Sequence, residues 1–183
     1  MLTRISRYMD IIDYSVALAT VHITDLETLG YLLQRSTKRQ FDVAPVSQYL
    51  ISTIPLLQNL SLVLRPSLAD FKQITDAPDA SSSPILTTWS EVCPALFELK
   101  KLLSFRLWLD HGDERSWSFV NERAFLAPLE ALAIASSARI SVSLPKLHPL
   151  HEDPIYHYMQ DNPQPPFTVE RRLRQRYLSL IHI

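Results

Sequence analysis

The sequence predicts an α/β fold with a mainly parallel sheet, built as an irregular stack of helix–strand units. Four short segments alternate apolar with more polar side chains, which is the pattern of a strand with one buried face. They begin about 35 to 45 residues apart, which is too far for hairpin turns and long enough for helical crossovers. The 183 residues include two glycines, too few for a series of glycine-turned hairpins.

Each predicted strand has three apolar side chains at alternate positions. In the first strand, Ala19, Val21 and Ile23 alternate with Thr20 and His22. If the apolar side chains face the core, the intervening ones face the opposite side of the sheet. The four predicted strands are residues 19–23, 60–64, 105–109 and 140–144.

Sequence with helical periodicity fills the stretches between the strands. After the first strand, Thr24 and Glu27 fit a capping box. Four leucines then form one apolar helix face: Leu26, Leu29, Leu32 and Leu33. Three further helical segments precede the other strands, at residues 46–54, 88–93 and 121–127. Each meets a proline (Pro55, Pro94 or Pro128) that we expect to end or kink the helix, because proline lacks the amide donor.

Each of these prolines is followed by leucines and then by a strand, a succession that resembles the leucine-rich repeat. Residues 57–62 fit its L-x-x-L-x-L pattern, and residues 102–107 fit with phenylalanine in one apolar position. The units exceed the usual length of about 20–29 residues, so the repeat is irregular. The resemblance implies that each helix–strand unit covers its apolar face by stacking on a neighbour.

A second resemblance is carried by four runs in the C-terminal half, residues 106–111, 116–123, 143–149 and 171–177. These runs look like those of uncharacterised filamentous-fungal protein families with leucine-rich-repeat-like bodies, some of which have F-box-like N-terminal parts. The resemblance implies a partner-binding body, such as that of a ubiquitin-ligase substrate receptor, and no known chemistry.

Composition excludes several classes of function. The chain has 18 basic and 19 acidic residues, and this net charge of −1 gives no reason to expect nucleic acid or an anionic membrane as partner. Two glycines, Gly30 and Gly112, cannot supply a dinucleotide-binding, Walker A or nucleophile-elbow motif. Cys93 is the one cysteine, which excludes an internal disulfide and a multi-cysteine zinc module. Its apolar neighbours predict a buried structural thiol.

The chain divides into a repeat-like body and a tail. We expect residues 1–144 to form the leucine-rich-repeat-like domain, with the polar insert 76–84 as a surface loop. Residues 145–177 are rich in proline and predict an irregular tail that ends in a short basic helix over 168–177. Residues 178–183 match the translation of a sequencing-library adapter, so we expect them to lie outside the fold.

The sheet face opposite the helices provides the candidate partner-binding surface. Alternation places His22, Val63, Arg106 and Trp108 on this face. In solenoids the open sheet face commonly binds partners, and a tryptophan beside an arginine has the composition of an interface hot spot. The alternative is that the tail folds over the face and buries Trp108.

A histidine-rich cluster suggests a different function. Asp110 and His111 follow the third predicted strand, and His148, His151 and His157 lie in the tail. Carboxylates and imidazoles can hold a divalent metal, and sites are common at the carboxyl ends of parallel strands. The spacing fits no helix-borne motif such as H-E-x-x-H, and solvated surface histidines explain the same pattern.

These observations favour a non-catalytic protein-interaction module, without a cofactor or catalytic residues, as the partner-binding body of a larger fungal protein. The alternatives are a metal-dependent enzyme that uses the histidine and aspartate cluster, and a fragment without selected activity. We expect an intracellular location, cytoplasmic or nuclear, because the sequence has neither a secretory signal nor an apolar run long enough to span a bilayer.

Overall fold

In the part of the chain that the structure describes, five parallel strands form one sheet and follow one another in chain order. The computed structural model describes residues 18–38, 51–66, 69–70, 84–110, 114–147, 149–159 and 163–172. It confirms the predicted α/β class and the parallel sheet. The strands are β1 (Thr20–Ile23), β2 (Asn59–Leu64), β3 (Ser104–Leu109), β4 (Arg139–Pro145) and β5 (Thr168–Arg172).

The described helices α1 (Leu26–Lys38), α2 (Pro84–Phe97) and α3 (Glu122–Ala135) lie in one layer beside the sheet, since α1 packs against α2 and α2 packs against α3. The predicted helix over 46–54 is helical at residues 51–53, and residues 46–50 lie outside the described part of the chain. A chain-order sheet with one helix layer agrees with stacked helix–strand units, while membership of the leucine-rich repeats stays a prediction. The described 3₁₀ helices are Ile54–Leu56, Glu114–Phe119 and Pro149–His151.

One apolar core joins the sheet to the helices. The inward side chains of the three central strands are all buried in it: Leu60, Leu62, Leu64, Phe105, Leu107, Leu109, Ile140, Val142 and Leu144. Trp89 of α2 ties this core together, because its ring stacks on Phe125 with centroids 5.4 Å apart and its indole nitrogen donates to the Phe125 carbonyl at 2.7 Å. Cys93 is buried as predicted, and desolvation raises the pKa of its thiol far above the ordinary value.

The helix starts follow capping rules with one change of residue. Thr24 was the predicted cap of α1, but the Asp25 carboxylate accepts the hydrogen bond from the Thr28 amide at 2.6 Å. In α3, the Asn121 side chain accepts from the Ala124 amide at 3.0 Å. Both caps satisfy an amide that the first helical turn leaves without a partner.

Two helices continue through prolines that were expected to end or kink them. Pro94 lies inside α2 and Pro128 lies inside α3. Each proline removes the amide donor for the carbonyl four residues earlier, at Ser90 or Ala124. Both of these earlier residues are exposed, so water can solvate the carbonyl that lost its donor. The expectation that these helices end at proline is therefore wrong.

The tail contains a strand where a basic helix was predicted. Residues 168–172 form β5 in parallel register with β4, so the predicted helix is wrong over this range, and residues 173–177 lie outside the described residues. Pairing satisfies backbone groups along the edge of β4, and Val169 packs against the core. These tertiary contacts outweigh the local helical preference. The insert from 76 to 83 and the adapter-like residues 178–183 also lie outside the described residues.

Candidate partner-binding face of the sheet

The strand register assembles the residues that point away from the helices. Arg106 of β3 lies opposite Ser61 of β2 and Ser141 of β4, and the same row continues to His22 and Thr168 at the two edges. We call this side the polar sheet face. Its members along the five strands are Thr20, His22, Asn59, Ser61, Val63, Ser104, Arg106, Trp108, Arg139, Ser141, Ser143, Thr168, Glu170 and Arg172.

All four residues that the sequence nominated for partner binding lie on the polar sheet face. Val63 is directly opposite Trp108, and both are half-buried. Arg106 is exposed and precedes Trp108 by two residues on the same strand, while His22 is exposed two strands away in the row of Arg106. The structure therefore brings the four side chains onto one surface, and their role in binding stays a prediction.

Trp108 is half-buried, and a side chain from the described part of the tail lies over its ring. The tail joins the sheet as β5, two strands from β3, and sends one side chain across the face. The guanidinium carbon of Arg172 lies 5.7 Å from the centroid of the Trp108 ring, within cation–π range. Arg172 is itself held by Glu170, to which it donates two hydrogen bonds. The indole therefore has a fixed neighbour on one side.

The carboxylates on this side of the sheet have arginine partners. Glu170 pairs with Arg172, as described above. The strand alternation continues past the ends of β2 and β3 to Arg65 and Asp110, whose side chains form an ion pair with an N–O distance of 3.5 Å. Asp110 is buried, so this charge–charge contact is less screened than one in open solvent.

The described members of the proposed metal cluster do not assemble a metal site. No three potential ligands among the histidine, cysteine, aspartate and glutamate side chains of the described residues come together. Asp110 is engaged by Arg65, and His151 is exposed on a 3₁₀ helix. His111 and His148 lie outside the described residues, so a site that uses them stays a prediction.

His157 is fully buried beneath the loop that precedes it. Its Nδ1 atom accepts a hydrogen bond from the Asp153 amide at 3.0 Å, and its own amide donates to the Asp153 carbonyl at 2.8 Å. Its Nε2 atom is buried and has no hydrogen-bond partner among the described residues. These contacts give His157 a structural role in closing the loop, which differs from the ligand role considered from the sequence.

Glu122 is the centre of a buried polar cluster that sequence reasoning missed. Its Oε1 atom accepts from the Trp117 indole at 2.6 Å and from Arg171 at 2.5 Å. Its Oε2 atom accepts from Arg171 at 2.8 Å and from the Tyr158 amide at 3.1 Å. Arg171 also donates to the carbonyls of Tyr158 and Pro145. A glutamate in the first turn of a helix is common because its charge is favourable there, so the sequence does not mark Glu122 as buried.

A surface cavity lies where the segments after β3 and β4 meet, with a volume of about 570 Å³. Phe119 and Leu150 line it and are largely exposed, at 63% and 84%. The carboxyl ends of parallel strands face this region of the fold, as the metal hypothesis expected. The other lining residues are Ser118, His151, Glu152, Asp153 and Pro154.

Comparison of the chain with protein-family models, curated proteins and solved structures gives no match. Within the described ranges, no helix combines the length and the apolar character needed to cross a membrane.

Proposed function

We propose that this protein is a non-catalytic protein-interaction module that binds its partner through the polar sheet face. The observation behind this proposal is the half-buried Trp108 beside the exposed Arg106, at the centre of a sheet whose other face is covered by helices. Tryptophan and arginine dominate binding energy at many protein interfaces when a partner removes them from water.

The dimensions of the face suit an extended segment of a partner protein. Neighbouring strands are separated by about 4.8 Å, so five strands give a surface about 19 Å wide. An extended peptide advances about 3.3 Å per residue, and about six residues would therefore cross the sheet. Arg172 holds one side of the Trp108 ring in place before binding, which lowers the cost of ordering that side chain.

Two features support binding over catalysis. The Cys93 thiol is buried and its pKa is raised by desolvation, so it is poorly suited to act as a nucleophile. The carboxylates Asp110 and Glu170 each form an ion pair with an arginine, and these contacts give both side chains a structural role.

We further propose that the domain is the partner-binding body of a larger intracellular protein, which is cytoplasmic or nuclear. That protein would be of the filamentous-fungal kind that runs such as residues 106–111 and 171–177 resemble. Sequencing the native transcript from end to end tests this. An F-box-like segment upstream in the same frame would support the ubiquitin-ligase receptor. A frame that starts at Met1 and stops after Ile183 would contradict it.

A peptide-display selection tests the binding function. The purified protein is used to select peptides from an unbiased library, and the selected peptides are then titrated against the double variant R106A/W108A. We expect this variant to bind at least about tenfold more weakly, since truncation of central tryptophan and arginine residues commonly costs more than 1 kcal/mol each.

The matched control is K100A/I134A, which removes one cation and one apolar side chain from exposed positions away from the polar sheet face. It should bind the selected peptides with unchanged affinity. Equal binding by the wild type and R106A/W108A would refute the proposed function, provided that both unfold cooperatively.

A further inference from the structure

We infer that the partner segment on the polar sheet face is acidic, an extended peptide whose carboxylates pair with Arg106 and Arg139. The inference rests on the proposed function and specifies the chemistry of the partner. It is carried by the distribution of charge on this side of the sheet and by the register of β3 and β4.

Charge on this side of the sheet is unevenly balanced. The described residues here include four arginines (Arg65, Arg106, Arg139 and Arg172) but two carboxylates, those of Asp110 and Glu170. Asp110 forms an ion pair with Arg65, and Glu170 forms an ion pair with Arg172. Two exposed guanidinium groups remain, and no ion pair of either is seen among the described residues. The surplus positive charge is therefore concentrated at Arg106 and Arg139.

The strand register places these two arginines as diagonal neighbours. Arg106 lies opposite Ser141, and Arg139 precedes Ser141 by two residues on β4. Strand separation and rise place their Cα atoms about 8 Å apart. In an extended peptide, side chains two residues apart share one face at a separation of about 7 Å. The long arginine side chains can absorb the difference, so two acidic residues separated by one residue match the pair.

Neutral donors surround the two arginines. Ser141 lies opposite Arg106 and Ser104 lies opposite Arg139, and both serines are half-buried, whereas Ser61 on the other side of Arg106 is buried. A serine hydroxyl can donate to a carboxylate, which adds recognition without adding charge. Trp108 stands two residues beyond Arg106 and offers an apolar surface to a further side chain of the same peptide. The expected motif is acidic–any–acidic next to an apolar residue.

The same charges argue against a nucleic acid on this surface. Toward the end of the face where Trp108 is found, Glu170 and Asp110 balance the charges of Arg172 and Arg65, so phosphates that continued past Arg106 and Arg139 would meet no surplus positive charge there. The chain as a whole has a net charge of −1, which gives no long-range attraction to a polyanion. An acidic peptide needs favourable charge at only two positions.

Two synthetic peptides test the inference by NMR titration of the ¹⁵N-labelled protein. The probe is acetyl-Gly-Glu-Ser-Glu-Leu-Gly-amide, and its match has glutamine at both glutamate positions. We expect the acidic probe to shift the amide signals of 104–108 and 139–143, and to bind about tenfold more tightly than the glutamine peptide. The variant R106Q/R139Q should lose about tenfold in affinity for the acidic probe. Raising the ionic strength should weaken binding of the acidic probe to the wild type.

The control variant K100Q/K101Q removes the same number of positive charges from exposed positions in the turn before β3. It should change the affinity for the acidic probe by less than about twofold, because its charges lie off the binding surface. An equal loss in both variants would mean that only net charge matters, and would overturn the assignment to Arg106 and Arg139.

Other outcomes separate the inference from the proposed function. Equal binding of the two peptides on the polar sheet face overturns the acidic partner and leaves the interaction module in place. Tighter binding of a single-stranded oligonucleotide to this face overturns the inference in favour of nucleic acid. Absence of shifts on the face at about 5 mM probe also overturns it, and the display selection then decides whether the proposed function fails as well.

Discussion

Removal of Arg171 should destabilise the fold more than neutralisation of its partner Glu122. Glu122 is fully buried, whereas the Arg171 side chain is 25% exposed. Substitution R171L leaves the carboxylate in the core with two neutral donors, the Trp117 indole and the Tyr158 amide. Truncation of one partner of a buried ion pair costs about 3–5 kcal/mol, because the remaining charge cannot be hydrated.

The substitution E122Q should cost less, about 1–3 kcal/mol. It removes the charge and keeps the shape, but every group around the side chain is a donor, so the new amide nitrogen finds no acceptor. Arg171 keeps the carbonyls of Pro145 and Tyr158 and can also reach water. The two partners therefore differ in how well each tolerates loss of the other.

Urea unfolding of the wild type, R171L, E122Q and R171L/E122Q measures this difference and closes a double-mutant cycle. We expect a coupling energy of about 2 kcal/mol or more, because the double variant no longer buries an unpaired charge. The matched control is R172L. Arg172 and its partner Glu170 are about half exposed, so this variant should lose little stability. A cost for R171L no greater than that for R172L would refute the argument that burial of Glu122 sets the magnitude.

Three further predictions address neighbouring groups. Burial and the hydrogen bond to Glu130 raise the pKa of Tyr158 well above its ordinary value of 10.0, so its contribution to stability should be complete below pH 10 and decline above it. The variant Y158F should cost about 1 kcal/mol at neutral pH, with a deficit that shrinks in urea unfolding above pH 10. H157A should cost about 2–4 kcal/mol, and H157N should restore about 1 kcal/mol of this loss by accepting the Asp153 amide; equal costs would refute a role for that hydrogen bond. Metal analysis after purification without chelators should find less than one equivalent of zinc, manganese or iron, and a stoichiometric metal would support the enzyme alternative.

Much of the sheet follows from the sequence, because one-sided burial imposes strict alternation. Leu60, Leu62 and Leu64 could be assigned to the core from spacing alone, and all three are buried. The same alternation assigned Arg106 and Trp108 to the opposite face. The register between strands could not be predicted from the sequence, because it depends on the pairing of residues that are distant in sequence.

The sequence analysis failed to predict the strand β5 and the position of Arg139, each for a physical reason. The charged residues of β5, Glu170 and the arginines beside it, have the composition of an exposed helix. The strand is stabilised instead by contacts with β4 and α3, which are distant in sequence. Arg139 was left out of the candidate surface because the predicted fourth strand began at residue 140, one residue after the observed start. Its pairing with Ser104 places it on the polar sheet face. A one-residue boundary error thus removed half of the proposed arginine pair.

Strand alternation links the buried cluster to the proposed binding surface. Arg171 and Arg172 are consecutive in β5, so their side chains lie on opposite faces of the sheet. Arg171 anchors the strand to Glu122 on the helix side, while Arg172 lies over Trp108 on the polar sheet face. Loosening of the anchor would free β5 from the edge of β4 and withdraw the cation from the indole. We therefore expect neighbouring residues of one short strand to set both the stability of the tail and the geometry of the polar sheet face.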